Sequence, residues 1–156
     1  MADDLAVRIA RLEDIEAIRR LKHLYGLLCD DDYDADALVA LFTEDGVWDA
    51  GELYGRYEGR AAMHAFFSQI SKSVVFAIHT ALNDIIDVDP GGETAVARFR
   101  AIIPSSLRTP EGDVPMWTLS GYEDRLRKVD GEWKFTEMRS IIRRVANHAD
   151  GWETGA

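Results

Sequence analysis

Ser71-Lys-Ser-Val-Val-Phe-Ala-Ile-His-Thr-Ala-Leu-Asn83 is the stretch at which the chain changes its periodicity. Upstream of it, apolar residues recur at gaps of three and four: Leu5, Ile9, Leu12, Ile15, Ile18, Leu21, Tyr25 and Leu28. That spacing marks one side of a long helix. Arg11, Glu13, Asp14, Glu16, Arg19, Arg20 and Lys22 fall between and read as a solvated face. A short helix is expected over Asp36-Ala-Leu-Val-Ala-Leu-Phe42 and another from Arg60 to Ile70, with Met63, Phe66, Phe67 and Ile70 as its apolar side. Val47–Asp49 and Leu53–Tyr57 between them read as short strands or a hairpin. Downstream, four strands are expected: Val74–Val88, long enough to hold a bulge or bend, then Ala95–Ile103, Met116–Arg127 and Trp133–Arg144. The breaks are Asp89-Pro-Gly-Gly92, Arg108-Thr-Pro-Glu-Gly112 and Asp130-Gly131, the last a strong hairpin signal. Helices first and an antiparallel meander second argue for an α+β fold, with N-terminal helices packed on one face of a curved sheet.

A chain of 156 residues is expected to form a single domain over 1–156, with its core at about 5–145 and a polar tail at 146–156 that contains Trp152. A formal net charge of -10 argues against a nucleic-acid partner. The short basic cluster of Arg139, Arg143 and Arg144 lies among apolar residues. No stretch approaches the ~18 apolar residues of a membrane helix. The acidic N-terminus has no signal-peptide core, so a cytoplasmic protein is expected. Cys29 is the one cysteine, which rules out an intramolecular disulfide. It falls on the apolar side of the helix pattern and reads as a buried, inert thiol. His23, His64 and His148 read as surface or tail residues. No pair of histidines, and no Cys–His pair, has metal-ligand spacing. Gly91-Gly92 lacks the helix that a phosphate loop needs, and Ser105-Ser106 is not in a nucleophile elbow. No metal and no cofactor are expected.

His79 alternates with Val75, Ala77, Ala81 and Asn83 on one face of its strand. A lone histidine in such a run is ordinarily a hydrogen-bonded core residue. Asp30, Asp31, Asp32 and Asp34 form the polar end of the first helix, where acids are commonly just solvated. Carboxylates at a helix C-terminus are nonetheless unfavourable, which hints at a use for one of them. If the fold joins Asp31 to His79, a carboxylate orients an imidazole in an apolar pocket, and that pair is a general base. Phe99, Ala101 and Ile103 are assigned to the pocket side of their strand, with Arg98 and Arg100 opposite. Thr118, Ser120 and Tyr122 share a face, either to bind a polar group or as ordinary cross-strand pairs. Tyr25, Trp48, Phe67 and Trp117 are pocket walls or core. Aromatic walls with few polar groups suit a hydrophobic, cyclic ligand.

A family resemblance organises these candidates. It rests on Ile15-Glu-Ala-Ile-Arg-Arg-Leu-Lys-His-Leu-Tyr25, Asp31-Asp-Tyr-Asp34, Ala37-Leu-Val-Ala-Leu-Phe-Thr-Glu-Asp-Gly-Val-Trp48, Tyr57-Glu-Gly-Arg60, the strand with His79 and Asn83, and Asp130-Gly-Glu-Trp-Lys-Phe135. In this order, from about Leu12 to Arg144, they resemble the SnoaL-like branch of the nuclear transport factor 2-like superfamily. Within it the chain looks most similar to scytalone dehydratase and the hexachlorocyclohexane dehydrochlorinase. The resemblance implies a cone-shaped α+β barrel around a pocket, with Asp31 and His79 as the catalytic pair. It matches Ser120 to a pocket serine and puts Ser105, after Pro104, where scytalone dehydratase has a second pocket histidine. Asn83 follows His79 by four residues. The chain departs from the pattern at Asp30, where a tyrosine is expected, at Trp48-Asp-Ala50, which lacks one, and at Gly26 and Leu27, where the dehydrochlorinase has a basic residue. The pair is kept and the substrate-specific set is not. The implied function is a cofactor-free lyase or isomerase acting on a small hydrophobic or aromatic substrate. The alternatives are a binding module of the same fold or the small subunit of a ring-hydroxylating dioxygenase. A homodimer or homotrimer built on the outer sheet face is also expected.

Overall fold

A computed structural model describes residues 2–150, so Trp152 lies outside the described residues. The chain runs α1 (Ala2–Asp30), α2 (Ala35–Ala40), β1 (Phe42–Asp49), α3 (Gly51–Tyr54), β2 (Arg56–Glu58), α4 (Arg60–Ile70), β3 (Val74–Ala77), β4 (Leu82–Val88), β5 (Thr94–Thr109), β6 (Gly112–Val129) and β7 (Glu132–Asn147). The fold is α+β, as expected, with the helices at the N-terminal end packed on a strongly curled sheet that forms a half-barrel. No helix among the described residues is long and apolar enough to cross a membrane.

The strands form one sheet in the order β2-β1-β7-β6-β5-β3, with β4 also on β5. β5, β6 and β7 make the expected antiparallel meander. β1 pairs with β7 in parallel, Phe42 with Phe135 and Trp48 with Met138, which turn signals near the chain could not announce. The expected strand Val74–Val88 is two strands. β4 pairs with the first half of β5, Leu82 opposite Arg100 and Val88 opposite Ala95. β3 pairs with its second half, Ala77 opposite Ser105. Residues 78–81 bridge the two, and Thr80 stitches this break to β5. Its Oγ1 donates to the Ile102 carbonyl at 2.7 Å and accepts from the Ile102 N–H at 2.8 Å. The break is therefore fixed in place, and it carries His79.

The helices close the concave side. Ile18, Leu38, Met63 and Phe67 from the helices and Phe42, Leu126, Phe135 and Met138 from the sheet are almost wholly out of water. The buried side of α1 differs from the expected stripe. Leu5, Ile9 and Leu12 are exposed, since the helix begins well before the sheet that covers it. Its inward residues are Ile18, Lys22, Tyr25 and Cys29. Lys22, assigned to the solvated face, is inside: its Nζ lies 3.0 Å from Asp124 Oδ2, with the two side chains 1% and 0% exposed.

Candidate functional site

The site begins where α1 ends. A Cβ on Gly26 would stand 2.9 Å from the His79 carbonyl oxygen, so the missing side chain is what lets the 78–81 break lie against the helix. Asp30 follows Gly26 by one turn and faces the same segment. Its Oδ1 accepts two N–H groups of one residue: the His79 backbone at 2.8 Å and the His79 Nδ1 at 2.7 Å. An ionised carboxylate only accepts, so Nδ1 carries a proton, and in the neutral ring Nε2 has the lone pair.

Asp31, expected in this role, does not reach His79. It is exposed in the turn after α1, about 100° further round the helix axis than Asp30. The next two residues, Asp32 and Tyr33, have φ of 60° and 56°. That left-handed backbone costs about 1–2 kcal/mol per non-glycine residue. It turns Tyr33 inward, where it is 8% exposed and meets the His79 ring edge-on at 6.0 Å.

Between the helices and the sheet lies a cavity of about 60 Å³. Of the residues singled out in the sequence, His79, Tyr25, Trp48, Phe67, Ser105 and Tyr122 line it. Ile103 and Thr118 do too, from the faces assigned to the pocket. Three other candidates do not. Asn83 is exposed, the second residue of β4, with a φ of 52°. Trp117 sits one residue from Thr118 and so points to the other face of β6, where its Nε1 donates to His148 Nδ1 at 2.9 Å. Ser120 is 3% exposed and packs in the core beside the cavity, its hydroxyl without a hydrogen bond among the described residues. Phe99 and Ala101 are likewise core residues below it. Sequence reasoning passed over Asp30, Tyr33 and Tyr54. Asp30 had a signal, the i to i+4 step from Gly26. Tyr33 and Tyr54 reach the cavity from turns and a one-turn helix, which carry no periodicity.

Trp48 Nε1 donates to Tyr25 Oη at 2.8 Å within the wall. Tyr25 also hydrogen-bonds the Cys29 thiol, which burial pushes up to about 12. Burial likewise raises the phenols of Tyr25, Tyr33 and Tyr122, so these hydroxyls keep their protons and serve as hydrogen-bond donors. Among the described lining residues, His79 is the one imidazole. An apolar cavity, phenol donors in its walls and one oriented imidazole can move a proton on a neutral ligand.

Residues 10–139 match the model of the SnoaL-like domain. No curated protein matches the chain. Among solved structures, a candidate scytalone dehydratase from Novosphingobium aromaticivorans is 24% identical, with a TM-score of 0.77, covering 95% of this chain and 92% of that one. The hexachlorocyclohexane dehydrochlorinase LinA-type3 from Novosphingobium barchaimii is 18% identical, with a TM-score of 0.79, covering 91% of this chain and 94% of that one. A candidate aromatic ring hydroxylase from Novosphingobium aromaticivorans is 25% identical, with a TM-score of 0.74, covering 89% and 96%.

Proposed function

For a chain that belongs to the SnoaL-like domain family, we propose a cofactor-free lyase or isomerase in which His79 is the general base and Asp30 its orienting carboxylate. The observation that carries this reading is the 2.7 Å bond from His79 Nδ1 to Asp30 in the wall of an apolar cavity. Nε2 takes a proton from a carbon next to a carbonyl or a leaving group. The charge then on the imidazolium is balanced by Asp30 and by the negative end of α1. Tyr122 or Tyr25 donates to the oxygen or leaving group on which negative charge develops. The ligand class is neutral and hydrophobic, since among the described residues no lysine, arginine, aspartate or glutamate lines the cavity. A ring-sized ligand needs several times the present cavity, so the wall yields on binding. Self-association belongs to the same reading. Ile102 lies outward on β5, and Leu82 and Ile85 pair with the outward Arg100 and Arg98; all three are exposed.

The test is proton exchange in D₂O at the α-carbon of neutral cyclic and aryl ketones, followed by NMR, and then elimination from the compounds that exchange. His79→Ala lowers the rate roughly 10²-fold or more. Asp30→Asn keeps the shape, loses the charge and lowers it steeply; Asp31→Asn leaves it unchanged. Exchange that survives His79→Ala within a factor of about three removes His79 as the base. A binding module binds these ketones, exchanges none of them and has no rate to lose.

A further inference from the structure

Lys22 is buried and unused by the reading above; burial lowers its pKa, and the Asp124 carboxylate beside it opposes that loss and favours the ammonium. Its ammonium lies 3.2 Å from the centroid of the Tyr122 ring and 5.1 Å from that of Tyr25, and both rings line the cavity. On its other side it meets Asp124 at 3.0 Å. Tyr122 and Asp124 are two apart on β6 and share its inner face, so one lysine of α1 grips both. A buried ion pair is poor value as a stabiliser, because apolar residues of similar size often serve as well or better. The contact to Tyr122 is what an apolar pair would not reproduce. Tyr25 meets the same ring edge-on at 6.4 Å and 76°. Tyr122 is 5% exposed. No hydrogen bond occupies its hydroxyl among the described residues, while burial keeps the proton on it.

We propose that Lys22 is a positioning residue: its ammonium clamps the Tyr122 ring from beneath the cavity floor, so that the phenol proton is presented to the oxygen of a bound ligand. The clamp is a cation–π contact anchored by Asp124. It matters to chemistry because a donor aimed in advance needs no reorganisation when charge develops. The ligand half of the proposal rests on the cavity being the reacting site; the clamp itself does not.

The full-length chain, with ¹³C-labelled tyrosine, tests the clamp without any ligand. The two ε C–H signals of Tyr122, assigned by their loss in Tyr122→Phe, are expected to be resolved because the held ring flips slowly. In Lys22→Met/Asp124→Leu, whose apolar pair preserves the fold, flipping is expected to speed up roughly tenfold or more and merge them. A merged pair in the unaltered chain overturns the clamp, as does an unchanged pair in a folded double variant. Asp124→Asn keeps the cation beneath the ring, so its pair stays resolved; a merged pair there overturns the clamp too. A second readout takes 4-fluoroacetophenone as the probe. Tyr122→Phe is expected to weaken its binding about fivefold in the unaltered background and less than twofold in the double variant. Equal losses in both overturn the presenting role. Failure of the unaltered chain to bind the probe counts against the cavity as the reacting site and leaves the ring-flip result standing.

Discussion

Two N–H groups converge on one oxygen of Asp30, so the residue holds backbone as well as ring. Asp30→Asn can still accept both bonds, whereas Asp30→Ala strands two partly buried donors. We expect Asp30→Ala to cost about 2–3 kcal/mol in urea unfolding and Asp30→Asn clearly less. Equal costs would mean that the charge, not the pair of bonds, fixes the break. Lys22 and Asp124 give a pH signature. Burial raises the Asp124 carboxyl to about 6, although Lys22 pulls it down; without Lys22 it rises further. A carboxyl raised in the folded state stabilises the fold while protonated. That contribution is full below its ordinary value of 3.8 and is lost as pH climbs through the folded value. Lys22→Met should therefore cost about 3–5 kcal/mol at pH 8 and less at pH 5, by urea unfolding at both. An equal cost would refute the uncompensated carboxylate. At this scale the sequence was half legible. His79, Tyr25, Trp48, Phe67, Ser105 and Tyr122 followed from face and resemblance. Asp30 was lost to Asp31 because a run of acids hides which one turns inward, and Lys22 because a lysine in a helix ordinarily faces water.

Two glycines show how differently the elements depend on one residue type. Gly131 has a φ of 83° after Asp130 at 52°, and a Cβ there meets nothing within 4 Å. Gly131→Ala thus strains only the β6–β7 turn, by about 1–2 kcal/mol. Gly26 is helical, and its constraint is the backbone oxygen at 2.9 Å. Gly26→Ala should cost a similar 1–3 kcal/mol, yet it also pushes the 78–81 break off α1 and parts His79 from Asp30. Thermal unfolding sees both substitutions; the imidazole signals of His79 should move only in Gly26→Ala. The Asp130-Gly131 hairpin and α4 were legible residue for residue, since turn chemistry and helical period are local. The division of Val74–Val88 was not, because it is set by pairing with two different halves of β5, which no local period records.

The whole molecule presents Phe76, Leu82, Ile85 and Ile102 as exposed large apolar side chains. Light scattering at micromolar concentration should find a dimer or trimer, and Ile85→Lys with Ile102→Lys should shift it to monomer without unfolding. A monomer mass for the unaltered chain would end that expectation. The order of helices and strands was legible because each is written in its own period. The parallel seam between β1 and β7 was not, for it joins two segments with most of the chain between them. That seam has a consequence for synthesis. While the ribosome is still making the chain, the helices and the first strands emerge with no seventh strand to receive β1. Contacts so distant in sequence form late. Trp48, and with it the cavity wall, therefore waits for the final strand, and a nascent chain stalled before β7 should carry an open half-cone that is a natural client for chaperones.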